Sequence, residues 1–474
     1  MFERKTAPVT LSDTLSGTRE FVPLKRGEAR MYSCGPTVYG PQHIGNLRAA
    51  VFSDTVARTL AVAGYRVKRV INITDVGHLV GDGDEGEDKM AVGAAREKVS
   101  PNEVADKYAK QYLADIRTLN IDTKHIRFPR ATAYIEDQIR MINTLEKKGH
   151  TYALPDGVYF DTSTFPDYGK LGRRDKVELS AGARVALVEG KKNPHDFVLW
   201  RTAKPNDLQK WKSPWGVGNP GWSIECSAMI RALLGKTIDI HTGGEDHISI
   251  HHNNEIAQSE GANDAPLAHY WLHNAFLTID GEKISKSLGN TYILDDIVAK
   301  GYHPLALRYL FLQAHYKTPL SFTWESLKAA DEALSRLWKT AREIRAASGG
   351  KSAGSRIADD MREVARDDLG TPQTIALLHS ALANAGLSGQ QKWGVLMAAD
   401  ELLGLSLTNP PEEPKVLTMS DLPSEAQEIA KKREEARKNK DFALSDELRI
   451  HLTERGYPVE DTPSGQVFRT TQKD

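Results

Sequence analysis

At 474 residues, 40% of them hydrophobic and 26% charged, the chain exceeds one compact domain and carries apolar material for two to four. Its formal net charge of −1 excludes a global positive field, so a nucleic-acid partner would need local basic patches. Two cysteines argue against a disulfide framework; with no apolar signal core in MFERKTAPVT and no run near the roughly 18 apolar residues of a membrane span, a cytoplasmic protein is expected.

Residues 31 to 76 read as strand, loop, helix, strand. RMYSCG is a short apolar run closed by glycine, and NLRAAVFSDTVARTLAVAG has helical spacing, with Val51, Thr55, Leu60 and Val62 as burial candidates. YRVKRVINITD alternates and is rich in Val and Ile, as a buried strand should be. Such a βαβ opening predicts an α/β fold with a Rossmann-like, doubly wound parallel sheet. GDGDEGED, 81 to 88, imitates a calcium loop, but Gly86 stands where an oxygen ligand is needed, so a solvated loop is expected. SPNEVADKYAKQYLADIRTLNI predicts a helix with Ser100 as N-cap and Pro101 in its first turn. Residues 131 to 220 are less regular and read as an insertion between two halves of the sheet, 1–130 and 221–300. After 300 the pattern is mainly helical, with a flexible linker expected at SGGKSAGS (348 to 355) and a break at TNPPEEPK (408 to 415), ahead of a small charged unit at 420–474.

Three groups of residues can carry chemistry. In HIGN, His43 and Asn46 sit where a helix begins, with Gly45 allowing close approach of a ligand; donors at such a place would stabilise charge on a phosphate, although a plain turn with a surface histidine fits the four residues as well. KISKSLGN sets Lys283 and Lys286 three apart among serines, a pattern suited to a polyphosphate and equally to solvated surface; no Walker GxxxxGK[ST] occurs. Finally, Cys226 in ECS, His251 and Glu255 four apart in HHNNE, and Cys34 would form a zinc set if the fold joins them; otherwise they are two buried thiols and a polar helix face. A zinc protease fits poorly, because HHNNE inverts the HExxH order.

Taken together, PTVYGPQHIGN, KISKS, GWSIECSAM, GGEDHISIHHNNEIAQ, DDLGTPQ and DFALSDELR with VEDTPSG resemble the class I aminoacyl-tRNA synthetases, and among them the cysteinyl-tRNA synthetase family, over nearly the whole chain. The sequence departs from the family pattern at Asn46, where HIGH ends in His, at Ile284, where KMSKS has Met, and at Gly370, where Asn is usual. The first two changes keep hydrogen-bonding or apolar character, and the third is a helix-entry change.

The resemblance implies ATP-dependent ligation of L-cysteine to tRNA(Cys) through a cysteinyl adenylate. It implies one Zn2+ on Cys34, Cys226, His251 and Glu255, and Mg2+ arriving with ATP. His43, Asn46, Lys283 and Lys286 would act on the phosphates, Asp246 on the nucleoside, and Thr74, Trp222 and His241 on the amino acid. By the same resemblance, 301–347 would contact the tRNA stem and support the phosphate loop, 356–407 would be a helical bundle, and 420–474 would read the anticodon. There, KKREEARKNKD offers cations for phosphates, and YPVEDTPSGQVFR offers aromatic and polar groups for splayed bases. The family implies a monomer. Three rivals differ: a cysteine ligase acting on an amino sugar needs no anticodon-reading end, a non-catalytic tRNA-binding paralogue would have damaged phosphate loops, and a zinc hydrolase would have no use for paired phosphate loops.

Overall fold

The computed structural model describes residues 6–77, 88–172, 190–285, 289–412, 416–462 and 465–469. Residues 81–87 of the acidic run and Lys286 lie outside them; Asp88 is described and caps a helix by accepting from the Ala91 amide at 2.9 Å.

Five strands make the central sheet: β1 (Glu28–Ser33), β2 (Arg66–Ile71), β3 (Ile126–Arg127), β4 (Ile238–Gly244) and β5 (Ala268–Asn274). Their order is β5-β4-β1-β2-β3 and every pairing is parallel. Parallel strands need crossovers, which helices α1 (Ile44–Val62), α2 (Lys89–Glu97) and α3 (Pro101–Thr118) provide on one side of the order. Helices α4 (Ile135–Lys147), α5 (Trp222–Leu233) and α6 (His251–Asn263) belong to the other. Helix α3 starts as its sequence predicts, with Ser100 as N-cap and Pro101 at the first position, and the structure adds a capping box in which Ser100 and Glu103 exchange bonds.

The chain leaves β1 toward β2 and leaves β4 toward β5, so the boundary between β1 and β4 is a switch point, where α/β sheets open a ligand crevice at the strands' carboxyl ends. Pairing register aligns Ile71, Ser33, Thr242 and Leu272 in one row. The next residues, Asn72, Cys34, Gly243 and His273, therefore border that crevice.

Between the halves, strands Thr151–Leu154, Gly157–Phe160, Phe197–Thr202, Trp211–Ser213 and Gly216–Pro220 form a second, antiparallel sheet. This stretch is more regular than its sequence suggests, and it is not packed apart. Val158, Phe160, Leu199 and Trp200 share one core with Ile142 and Leu145 of α4, Ile224 and Met229 of α5 and Ile256 of α6.

Beyond the sheet run α7 (Leu294–Ala299), α8 (Pro304–Leu312), α9 (Trp324–Ser348), α10 (Arg356–Arg366), α11 (Thr371–Ala383) and α12 (Gly389–Leu403). The expected flexible linker is instead a packed connection. Gly349 caps α9 with φ 61°, the Ala353 amide donates to the Gln390 carbonyl at 2.9 Å, and Ser355 is buried. The C-terminal unit pairs α13 (Ser424–Lys438) and α14 (Phe442–Glu454) with a small sheet of Val416–Leu417, Val459–Thr462 and Gly465–Arg469. Two features expected at a nucleic-acid face turn inward here: Arg433 is buried, donating to Asp461 Oδ1 at 2.9 Å and Gln466 Oε1 at 2.7 Å, and Phe468 lies in the unit's core.

The catalytic-side helix α1 is fixed to the helical block by a buried carboxylate. Asp54 accepts from Arg58 Nε at 2.6 Å, Arg69 Nη1 at 3.0 Å and Arg308 Nη2 at 2.7 Å. Burial opposes its ionisation, but the three guanidinium groups outweigh that and hold its pKa far below the usual carboxylate range. Asp54→Ala should therefore cost about 3–5 kcal/mol in urea unfolding, because Arg308 is left buried without its partner charge. Since the folded-state pKa is depressed, this stability is present above the unfolded value near pH 4 and drains away as pH falls below it. The variant's stability should thus approach the parent's in acid.

Candidate active site

A cavity of about 980 Å³ opens at the switch point. Cys34 follows β1, Cys226 sits in α5, and His251 and Glu255 face the same way from successive turns of α6. Their ligand atoms all lie within 4.8 Å of one another, so the fold joins residues 192 positions apart in sequence, 226 minus 34. His251 Nε2 is 3.0 Å from Glu255 Oε1, which is 3.6 Å from Cys34 Sγ. Ser223 Oγ lies 3.1 Å from His251 Nδ1, directing Nε2 toward the cluster. Glu255 Oε2 turns away, to His241 Nε2 at 2.9 Å. The carboxylate thus offers one oxygen inward and anchors with the other.

Charge within the cluster is balanced by protons. The Cys34 thiol, which donates to Glu255 Oε1, lies close enough to Cys226 to hold that sulfur below the usual thiol range, whereas burial above all pushes Cys34 itself well up. Burial alone would lower His251; the charge of Glu255 overrides it and raises the ring to about 10. Burial would likewise raise Glu255, but the charges of His241 and His251 bring it down to about 2. Buried acceptors that need a cation, with soft thiols and a tethered imidazole, fit zinc, which binds by displacing such protons. A second set, Cys34, His241, His252 and Glu255, meets the same distance test. In it, His252 Nδ1 lies 2.8 Å from His273 Nε2 while Nε2 faces Cys34 at 3.3 Å, so the ring is oriented as His251 is, but the set holds one thiol instead of two.

One side of the cavity is built on the first turn of α1. His43 is the N-cap, and its Nδ1 accepts from the Asn46 amide at 3.3 Å, which leaves the ring proton on Nε2 as a donor. Asn46 Nδ2 donates to Gln42 Oε1 at 2.6 Å. Lys283 and Asp246 are exposed and line the same cavity; Asn290 tethers the lysine loop by donating to the Lys283 carbonyl at 3.1 Å. Thr74 and Trp222 also line it. Thr74 Oγ1 accepts from Asn72 Nδ2 at 3.0 Å and donates to Glu225 Oε2 at 3.2 Å, while Trp222 stacks on His251 with ring centroids 4.3 Å apart. His241 is fully buried behind the metal donors, stacked on Trp271 at 4.6 Å, and is not among the cavity-lining residues.

Sequence reasoning missed several members of the site. Glu225, buried beside Cys226, stands in an ordinary helical run that gives no sign of it, whereas the adjacent imidazoles of HHNN are a visible signal for His252. Arg48, two residues past HIGN, is buried and donates to the carbonyls of Ala275, Phe276 and Thr318. A helical arginine ordinarily reads as surface.

A parallel sheet with this crevice, a helix N-terminus facing it and a lysine loop across from it define a class I tRNA synthetase. Residues 20–332 match the family model for the class I (C) tRNA synthetase catalytic domain, and 419–469 match the cysteinyl-tRNA ligase anticodon-binding domain. The cysteine–tRNA ligase 1 of Burkholderia lata is 45% identical over 464 residues, covering 97% of this chain and 96% of that protein. The cysteine–tRNA ligase of Treponema denticola is 40% identical over 495 residues, 98% and 99% of the two chains. Among solved structures, a Mycobacterium tuberculosis methionyl-tRNA synthetase bound by methionyl-adenylate shares the fold, with TM-score 0.53 and 14% identity over 81% of this chain and 92% of that one. So does a LeuRS of Agrobacterium radiobacter K84 in ternary complex with tRNA, with TM-score 0.56 and 11% identity over 82% and 85%. The chain belongs to the cysteine–tRNA ligase family, enzymes that bind tRNA, ATP and their amino acid. Among the described residues, no helix is long and apolar enough to cross a membrane.

Gly35 tests how tightly the crevice floor is built. A Cβ there would stand 1.7 Å from the Asn72 carbonyl oxygen, a rigid backbone atom between β2 and Thr74. Gly35→Ala should destabilise by about 3 kcal/mol in thermal unfolding, as overpacking does, and should weaken zinc retention as Cys34 is displaced.

Proposed function

We propose that the chain makes cysteinyl-tRNA(Cys) in two steps, with a zinc ion on Cys34, Cys226, His251 and Glu255 selecting the substrate thiol. The observation that carries this reading is the convergence of four metal donors beside a cavity that is also lined by His43, Asn46, Asp246 and Lys283. Bound there, zinc would supply a soft Lewis acid that prefers a thiolate to a hydroxyl. A hydrophobic pocket gains only about 1–3 kcal/mol from one group, so a metal–sulfur preference separates cysteine from serine and alanine more sharply and leaves no need for editing.

The protein's own groups then bind and orient. Trp222, packed on His251, and Thr74, held between Asn72 and Glu225, form the wall against which the amino acid rests. His241 acts one layer back, fixing Glu255 so that a single oxygen points inward. Mg-ATP enters as substrate, its nucleoside toward Asp246. As a carboxylate oxygen of cysteine bonds to the α-phosphorus, the bond to pyrophosphate breaks. His43, through its Nε2 proton, Asn46, Lys283 and Lys286 stabilise the negative charge that builds on the phosphates. In the second step the 2′-hydroxyl of the terminal adenosine of the tRNA attacks the carbonyl carbon and AMP departs. No covalent enzyme intermediate is needed.

Cysteine-dependent ATP–pyrophosphate exchange tests this directly. Exchange with cysteine and not serine, lost together with bound zinc in Cys226→Ser, is the expected result; no exchange by folded, zinc-loaded protein would overturn the reading. If Cys226→Ser kept its zinc and His252→Asn lost it, the donor set containing His241 and His252 would be the right one. Ser223→Ala should weaken zinc binding about 10- to 100-fold in chelator competition, because the tether on His251 Nδ1 is gone.

A further inference from the structure

Phe276 follows β5 and stands at the cavity with half its surface exposed, 49%. Isolated exposed apolar side chains are ordinary and need no function. This one differs in how its backbone is held. The Ala275 amide donates to the Tyr316 carbonyl at 2.9 Å, and the Ala275 carbonyl accepts from Arg48 Nη1 at 2.8 Å. The Phe276 amide donates to Glu245 Oε1 at 2.7 Å, and its carbonyl accepts from Arg48 Nη1 at 2.7 Å and from the Leu320 amide at 3.2 Å. All four polar groups of the two residues are satisfied, and Arg48 itself is buried. The next residue, Leu277, is buried and pairs with Leu320 in a parallel strand. The peptide is rigid, and a phenyl ring is its one unsatisfied group.

We infer that Phe276 is a stacking platform for an adenine base in the cavity. Resting on the cysteine–tRNA ligase reading, this assigns a base-binding residue that the motifs left out. A flat aromatic base is the one part of a nucleotide that gains from covering an exposed phenyl ring; phosphates and ribose do not. Placement favours a nucleotide too. Arg48 lies three residues after Gly45 and two after Asn46 on α1, and Glu245 adjoins Asp246, so the backbone that carries the ring is pinned between the helix that would face the phosphates and the loop that would face the ribose. Adenine reaches this cavity from two sources, ATP and the terminal adenosine of tRNA.

The experiment uses full-length, zinc-loaded protein and the variants Phe276→Ala, Phe276→Leu and Phe276→Trp. Stacking on one base predicts a rise of about tenfold or more in an adenine-dependent constant for Phe276→Ala, restoration by Trp, and no comparable restoration by Leu. A rise in the KM for ATP in pyrophosphate exchange, with the KM for cysteine unmoved, identifies the base of ATP. A rise confined to the KM for tRNA in charging identifies the terminal adenosine. Equilibrium dialysis of ATP against the same variants reads base binding without turnover, so inactivity of the parent protein would sink the ligase reading while this measurement still judged Phe276. The inference is overturned if Phe276→Ala leaves both KM values and ATP binding within twofold of the parent, or if Leu restores as fully as Trp.

Discussion

Asp54 is a single buried negative charge facing three arginines, and the position of the catalytic helix depends on it. Three guanidinium groups against one carboxylate would leave a surplus of positive charge that a protein interior does not tolerate. The surplus is met by backbone carbonyls at the ends of two helices. Arg308 donates to the Leu403 carbonyl at 2.7 Å and the Leu119 carbonyl at 2.8 Å, and Arg58 to the Asn120 carbonyl at 2.7 Å. Helix C-termini carry partial negative charge and unsatisfied carbonyls, so the ends of α3 and α12 complete the shell. One carboxylate in the middle of α1 thereby fixes that helix against β2, α3, α8 and the helical block. Its N-terminus, with His43 as cap, inherits that position.

The four residues proposed to hold zinc depend on the same frame by a different route. Cys34 leaves β1 beside Gly243 of β4, and its amide donates to the Thr242 carbonyl at 3.1 Å, so the thiol's place is set by sheet register. Glu255 and His251 are set by α6, and Cys226 by α5, which packs against α6 through Ile224, Met229 and Ile256. Side chains beyond the donors then fix angles: Ser223 for His251, and His241 for Glu255. Site and core are one construction, and the second sheet contributes by sharing that core.

How much of this could be read from sequence depends on whether a feature is local. The N-cap at Ser100, the strand at Arg66–Ile71 and the helix at HIGN are written in neighbouring residues and are legible there. The donors were recognisable as types, but their union rests on pairing between distant strands, which spacing does not encode. The burial of Asp54 is not legible, since its pair with Arg58 four residues on looks like a solvated helix face and its partner Arg308 is 254 positions away. The glycine- and serine-rich stretch after α9 read as flexible because composition reports what a backbone permits, whereas the Ala353–Gln390 bond and the small side of α12 at Gly394, whose Cβ would lie 2.4 Å from the Ala353 carbonyl, decide what it does. In the C-terminal unit, Arg433 and Phe468 carried the composition of a binding face and are used inside.

The 221 positions between Cys34 and Glu255 have a consequence for how the protein is made. At about 5–20 residues per second, Cys34 leaves the ribosome about 10 to 45 s before Glu255 does. For that interval the thiol sits on a nascent chain whose β4, α5 and α6 do not yet exist, with neither the carboxylate nor the imidazole that will surround it. The four-residue cluster is thereby completed late in biosynthesis, and until then the earlier cysteine is an ordinary, oxidisable thiol.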